Sequence, residues 1–187
     1  VTKDSKGNGI VTPVGNKYGV AIVLVKDNKL GYGSIVRIVI RPKDAVAMPM
    51  IAAGNAFGVA LKANGTVYAW GWGQYGQLGN GYTTNRDDTD YYSGEKIYSA
   101  PVQVLKEVVQ IDAMGGTGRG EKNRFGTSLA VTESKEVYGW GNSLYGALGV
   151  KSSIVSKPVR VGTDISNAVQ VAGGGKSGSD DYHVNSI

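Results

Sequence analysis

The feature that most constrains the fold of this chain is a repeat with an offset of seventy positions. The segment 67–79 reads VYAWGWGQYGQLG, and the segment 137–149 reads VYGWGNSLYGALG. The flanks recur too: PVQV at 101–104 returns as PVRV at 158–161, and VQIDA at 109–113 returns as VQVAG at 169–173, with an earlier version, MIAAG, at 50–54. Each unit therefore holds four short apolar stretches separated by turns. Such units stack because none buries its faces alone, and four strands per unit predict propeller blades.

The glycine-rich core of the first copy also imitates a nucleotide-binding motif. Residues 71–76 read GWGQYG, a literal G-x-G-x-x-G. That motif needs a helix directly after its glycines, with the helix N-terminus facing a pyrophosphate. Here QLGNG follows at 77–81, which would break a helix, and Ser143 stands in the second copy where Gly73 stands in the first. The glycines therefore belong to the repeat, and we expect no nucleotide and no other cofactor.

In its order of motifs (A-G, a short A-L strand, V-Y-x-W-G, Y-G-x-L-G, P-V) the repeat resembles the regulator of chromosome condensation repeat. That family forms a β-propeller, commonly of seven blades, so the resemblance implies a propeller over residues 48–187. The repeats run over about 48–108, 109–168 and 169–187, which is two full blades and the start of a third. Because two blades cannot close a ring, we expect a piece of a longer protein or a chain that neighbours complete. The open strand edges are expected to self-associate.

Residues 1–43 lack the repeat and form a different module. Apolar stretches at 9–14, 19–25 and 35–40 predict two or three strands, with a turn at 26–29. The pattern G-x-V-x-P-V, G-x-A-x-V-x-V and a valine–isoleucine strand is similar to the last half of a bacterial immunoglobulin-like domain. In the middle strand both alternating sets are apolar, so it is either covered on both sides or presents an interface. We therefore predict an all-β chain: a partial β-propeller preceded by a partial immunoglobulin-like β-sandwich.

Composition excludes several kinds of site. The chain has no cysteine, which excludes disulfides, thiolate metal sites and thiol catalysis, and its single histidine, His183, provides no triad or metal cluster. The net charge of +5 is spread along the chain, which favours a solvated surface over nucleic-acid binding. No apolar run is long enough to cross a membrane, so no membrane insertion is expected. We expect no catalytic residues, no metal ligands and no enzyme activity.

Loop lengths give a positive signal for binding. The segment between the first two strands of a blade is short in the first copy, Gly54–Phe57, and longer in the next two, Gly115–Thr127 and Gly173–His183. The segment between the last two strands is long in the first copy, at Leu78–Pro101. In an up-and-down blade these loops emerge at one end, where binding is usually placed. The candidate partner-binding residues are Tyr82, Asp87, Asp88, Asp90, Tyr91, Tyr92, Arg119, Lys122, Arg124, Lys176, Asp180 and Tyr182. The expected structural core comprises Trp70, Leu78, Trp140 and Leu148.

These observations predict a non-catalytic binding or scaffold module that engages a protein or polymer through the loop-rich end of the propeller. The resemblance of the front module implies a bacterial cell-surface or secreted protein. Two alternatives stay open: a secreted inhibitor of an enzyme, as in the β-lactamase inhibitory branch of this propeller family, and guanine-nucleotide exchange on a small GTPase, as in its nuclear namesake. The acidic stretch Asp87–Asp90 is interpreted as a solvated loop, because it lacks the glycine and glutamate of a calcium loop, and calcium binding there is left open.

Overall fold

The structure, a computed structural model, describes residues 2–3, 5–6, 9–10, 19–26, 29, 31–40, 44–83, 97–117, 124–175 and 184–186. Within these residues every paired strand is antiparallel, and the helical structure is one 3-10 turn, Leu144–Gly146. The described part of the chain holds no helix that could span a membrane. The chain divides into two compact units, Val1–Ala45 and Val46–Ile187. The predicted all-β class is confirmed.

The first unit consists of two pairs of strands. Strands β1 (Thr2–Lys3) and β2 (Gly9–Ile10) form a short ladder. Strands β3 (Gly19–Lys26) and β4 (Gly33–Ile40) pair along their whole length, because both are rich in β-branched residues. Alternation along β3 leaves Val20, Ile22 and Leu24 exposed, while Ala21 and Val23 are partly buried.

The second unit contains two four-stranded sheets and a hairpin. The first sheet comprises β5 (Met50–Ala53), β6 (Phe57–Leu61), β7 (Val67–Trp72) and β8 (Ile97–Leu105) in that order. The second comprises β9 (Val108–Thr117), β10 (Arg124–Thr132), β11 (Val137–Asn142) and β12 (Ile154–Val161), again in chain order. Strands β13 (Gly173–Gly175) and β14 (Val184–Ser186) pair as a hairpin. Two blades and the start of a third are therefore confirmed.

The core of this unit lies between the two sheets. The first sheet turns one face inward, with Phe57, Val59, Leu61, Val67 and Ala69 buried. The second sheet meets it with the face that carries Ile111, Ala130 and Trp140, all of them buried. The Phe57 ring packs directly on the backbone of Gly126, where any side chain would clash with it. Because side chains alternate between the two faces of a strand, each sheet presents one apolar face, and these faces pack against each other as the core.

The W-G pair of the repeat occupies a defined place in each sheet. Gly71 and Gly141 adopt φ values of +101° and +109°, and a Cβ at either would lie within 2.5 Å of a neighbouring carbonyl oxygen. Opposite each tryptophan the outer strand bulges, because three residues, 99–101 in β8 and 156–158 in β12, face a single residue of the inner neighbour. Pro101 and Pro158 lie in these bulges, where the absence of an N–H costs no ladder bond.

Candidate functional site

The strand connections that the sequence predicts to be lengthened lie at one end of the second unit. In the first sheet, residues 54–56 join β5 to β6 and residues 73–96 join β7 to β8; in the second, residues 118–123 and 143–153 occupy these positions. Because the sheets are up-and-down, all four connections leave at the same end, which we call the loop end. The short turns 62–66 and 133–136 leave at the other end.

Part of the length expected as loop in the second sheet is strand instead. The β9–β10 ladder continues through Gly115↔Gly126 to Thr117↔Arg124, whereas the β5–β6 ladder stops at Ala53↔Gly58. The physical reason is that the two extensions pair through backbone hydrogen bonds. Such pairing does not require alternating apolar residues, so the sequence gives no pattern that would predict it. Arg124, expected as a loop residue, is therefore the first residue of β10.

A patch of exposed large side chains lies at the base of the long 73–96 connection. Tyr82 is 49% exposed, and its ring centroid lies 6.1 Å from that of Tyr98 at a tilt of 48°. Ile97, which begins β8, is 61% exposed. The aliphatic stem of Lys157 lies beside Gly81, so the second sheet contributes a positive charge to the same surface. Ile97 pairs with Trp72 and therefore lies on the opposite face of the strand from Tyr98. We call Tyr82, Tyr98 and Lys157 the tyrosine patch.

The patch is held by rigid structure below it. The backbone N–H of Tyr82 donates to Asn80 Oδ1 at 3.1 Å, and the N–H of Gly81 donates to the Ser156 carbonyl in the β12 bulge at 2.8 Å. Beneath, the rings of Tyr75 and Phe125 are both buried and lie 4.8 Å apart. The two sheets are thus joined directly under the patch, so its side chains project from an ordered base.

The join between the sheets is made by the Y-G-x-L-G turn of the first. The carbonyl oxygen of Gln77, a fully buried residue, accepts hydrogen bonds from Trp140 Nε1 and Ser128 Oγ, each at 3.0 Å. Gly79 lies against the Trp140 ring at φ +69°, so close that a Cβ there would be 2.8 Å from Cδ1 of the ring. We call residues 75–81 the joining turn. The glycines that imitate a nucleotide motif serve this contact between sheets.

Apart from Arg124, described above, the predicted residues divide into three groups. Tyr82 is exposed at the loop end, as described above. Asp87, Asp88, Asp90, Tyr91, Tyr92, Arg119, Lys122, Lys176, Asp180 and Tyr182 lie outside the described residues. Of the expected core, Leu78, Trp140 and Leu148 are buried, but Trp70 is only partly buried, because no described residue covers it as the joining turn covers Trp140.

Sequence reasoning missed Lys157 as a member of the surface. A signal exists for Lys157: it directly precedes the proline of the repeated P-V motif, in the bulge that faces the preceding sheet. Within the described ranges, no three side chains of the metal-ligating types come together. What the patch offers is therefore contact chemistry: aromatic faces and one cation.

Known proteins resemble this chain at the repeat. The family model described as the regulator of chromosome condensation (RCC1) repeat matches residues 64–115 and 135–178. The chain is 35% identical over 99 residues to the E3 ubiquitin-protein ligase HERC2 of Homo sapiens, covering 53% of this chain and 2% of that protein. It is 30% identical over 128 residues to the ultraviolet-B receptor UVR8 of Arabidopsis thaliana, covering 66% of this chain and 25% of that protein. The chain therefore spans a quarter or less of the length of either relative.

A solved structure supports the fold. The crystal structure of human WBSCR16 superimposes with a TM-score of 0.51 at 24% identity, covering 76% of this chain and 31% of that one. At this identity the likeness shows the fold alone.

Proposed function

Since this chain belongs to the regulator of chromosome condensation (RCC1) repeat family, we propose that it is a non-catalytic binding module that engages a protein or polymer through its loop end. The observation that carries this proposal is the tyrosine patch. Tyr82, at 49% exposure, and the neighbouring ring of Tyr98 place aromatic groups at the surface beside the joined sheets. Exposed apolar groups gathered at one place mark interaction surfaces more often than scattered ones do.

The physical properties of the patch suit a macromolecular partner. A tyrosine ring gives large contact area for the loss of only two rotatable angles, so binding orders it at low entropic cost. The fixed backbone around Gly81 lowers the cost further, because the base of the patch is already ordered. Lys157 adds a charge that steers an acidic group toward the rings. The candidate residues of segments 84–96, 118–123 and 176–183 follow the same connections and are proposed as further contacts.

We also propose that residues 1–43 are part of a bacterial immunoglobulin-like module and that the protein acts at the cell surface or outside the cell. Support comes from the strand pattern of that segment and from the β3–β4 pairing along eight residues of each strand. Protease treatment of intact cells of the source organism, followed by detection with an antibody to residues 46–187, tests the location. Complete protection of the protein in intact cells would contradict it.

Site-specific photo-crosslinking tests the binding surface. We would place a photoreactive phenylalanine analogue at Tyr82 in the full chain, and at Tyr32 as the matched control, because Tyr32 is a tyrosine that is 77% exposed in the first unit. The proposal expects a defined adduct from position 82 and none from position 32. For the partner so identified, Tyr82→Ala should weaken binding by about tenfold or more, as truncation of an interface aromatic does. Equal adducts from both positions, or unchanged affinity on Tyr82→Ala, would refute the proposed surface.

A further inference from the structure

The joining turn ends in an asparagine–glycine pair, Asn80 and Gly81, that the repeat does not require. Seventy positions later the second copy carries Val150 and Lys151 at the corresponding places. Gly81 is exposed and adopts a φ of +88°, a conformation that favours glycine. Asparagine loses its side-chain amide most readily when glycine follows it, because glycine has no side chain to hinder attack of its backbone nitrogen on the asparagine Cγ.

The local backbone activates the side-chain carbonyl of Asn80. The N–H of Tyr82 donates to Asn80 Oδ1 at 3.1 Å, which draws electron density away from Cγ. The same N–H faces the oxygen that becomes negatively charged when Cγ is attacked, as the donors of an oxyanion site do. Asn80 Nδ2 is buried, and no described residue accepts a hydrogen bond from it, although buried donors are usually paired. Among the described residues, therefore, no hydrogen bond retains the nitrogen that has to leave.

The nucleophile of this reaction, the Gly81 nitrogen, is held by the second sheet. Its N–H donates to the Ser156 carbonyl in β12 at 2.8 Å, and a nitrogen in that bond keeps its proton and stays turned away from the neighbouring Cγ. The bond exists only while the joining turn lies against the second sheet. That contact, which we call the joint, is fixed by the hydrogen bonds of Trp140 and Ser128 to the Gln77 carbonyl.

We propose that Asn80 is a deamidation site whose reactivity is controlled by the joint. When the joint opens, the Gly81 nitrogen gives its proton to hydroxide and attacks Asn80 Cγ. The new C–N bond closes a succinimide ring, and Nδ2 takes up a proton and leaves as ammonia. Water then adds to either ring carbonyl and opens the ring to aspartate or isoaspartate. The net reaction consumes one water and releases one ammonia, so it needs no oxidant, reductant or further reactant.

The product alters both the joint and the surface beside it. Either product replaces a neutral amide by a carboxylate, and Lys157 Nζ lies 3.9 Å from the position that a Cβ on Gly81 would occupy. Isoaspartate also adds one carbon to the main chain, which displaces the Gly81 N–H from the Ser156 carbonyl and weakens the joint. The modification therefore accumulates with the time that the joint spends open. This inference does not depend on the loop-end binding proposed above.

A second asparagine–glycine pair in the chain, Asn64 and Gly65, is the matched control. Asn64 Oδ1 also accepts from the backbone N–H two residues later, that of Thr66, at 3.2 Å. The Gly65 N–H, however, donates to the Lys62 carbonyl at 2.9 Å within the same turn, so opening of the joint leaves this bond in place. The reaction rate at Asn64 therefore reports deamidation that does not require the joint to open.

Incubation of the full chain at mildly alkaline pH in water enriched in heavy oxygen tests the proposal. Peptide mass spectrometry with electron-transfer fragmentation locates the label and distinguishes aspartate from isoaspartate. Ser128→Ala removes one of the two hydrogen bonds to the Gln77 carbonyl and should raise the rate at Asn80 by about fivefold, the effect of one hydrogen bond on the open fraction. The exchange rate of the Gly81 amide hydrogen should rise by the same factor. Ser134→Ala, at an exposed serine of the 133–136 turn, should change neither rate.

Two further measurements complete the test. Asn80 should react faster in urea, where the joint is absent, than in the folded chain, and Trp140→Phe, which removes the other hydrogen bond to Gln77, should act like Ser128→Ala. Circular dichroism checks that each variant is folded. Three results would each overturn the proposal: equal rates at Asn80 in the folded and the unfolded chain, no increase at Asn80 in the two joint variants, and an equal increase at Asn80 and Asn64, which would indicate unfolding of the whole unit.

Discussion

Replacement of the two repeat tryptophans by alanine should cost very different amounts of folding free energy. Trp140 is fully buried and donates to the Gln77 carbonyl at 3.0 Å, while Trp70 is partly exposed and makes no hydrogen bond with any described residue. Truncating a fully enclosed tryptophan costs about 3–5 kcal/mol, and the lost hydrogen bond adds about 1 kcal/mol. We therefore expect about 4–6 kcal/mol for Trp140→Ala.

For Trp70→Ala the expected loss is smaller, about 1–2.5 kcal/mol, because part of the ring is already in water and the space left is open to solvent. The loss is not zero, because the ring packs on Gly58 and this contact disappears in the alanine variant. Trp140→Phe separates the two contributions at the buried site. It keeps most of the apolar volume and should cost about 1–2 kcal/mol, mainly for the unmade hydrogen bond.

Urea denaturation followed by circular dichroism measures these differences as shifts of the midpoint at constant slope. Equal losses for Trp70→Ala and Trp140→Ala would refute the reasoning, because they would mean that the joining turn contributes nothing to the burial of the second tryptophan. A changed slope would show that a variant alters more than the tryptophan site.

Gly79→Ala should destabilise the chain by at least about 1 kcal/mol more than Gly149→Ala, because both carry the cost of positive φ but only position 79 also clashes with Trp140; the two thermal melts decide this. Arg160→Ala should cost less than about 1 kcal/mol, since its 3.2 Å ion pair with Glu136 is between side chains that are 44% and 32% exposed; a large, salt-independent loss would contradict that. Asp112→Ala should increase the exchange rate of the Gly173 amide hydrogen, which donates to its carboxylate, and an unchanged rate would mean that the hairpin is held by other contacts.

The repeat pattern was sufficient to predict the two four-stranded sheets. The reason is that both motifs reflect local backbone requirements. The W-G motif places a glycine with positive φ at Gly71 and Gly141, and the Y-G-x-L-G motif forms a glycine turn that closely approaches a neighbouring sheet. The repeat pattern does not show, however, whether a particular copy is covered by a neighbouring sheet. Trp70 and Trp140 have the same sequence context and different burial, so only the stacking of sheets distinguishes them.

The binding surface was less predictable for a different reason. Loop length located the loop end but not the residues that line it, because Lys157 reaches it from the adjacent sheet. The extension of β9 and β10 was also hidden, since Gly115 and Gly116 give no alternating pattern and pair through backbone groups alone. The acidic and tyrosine residues at 87–92 stay a prediction.

The Gln77 carbonyl belongs covalently to the first sheet, yet both of its donors, Trp140 and Ser128, belong to the second. We therefore expect the two neighbouring sheets to unfold as a coupled pair, because the hydrogen bonds at their junction stabilise both. A dissection of the chain between Leu105 and Val108, where the strand assignments would suggest a clean cut, would therefore separate a tryptophan from its acceptor. A rearranged chain should therefore keep this contact only when the joining turn and the tryptophan of the sheet that follows it stay together.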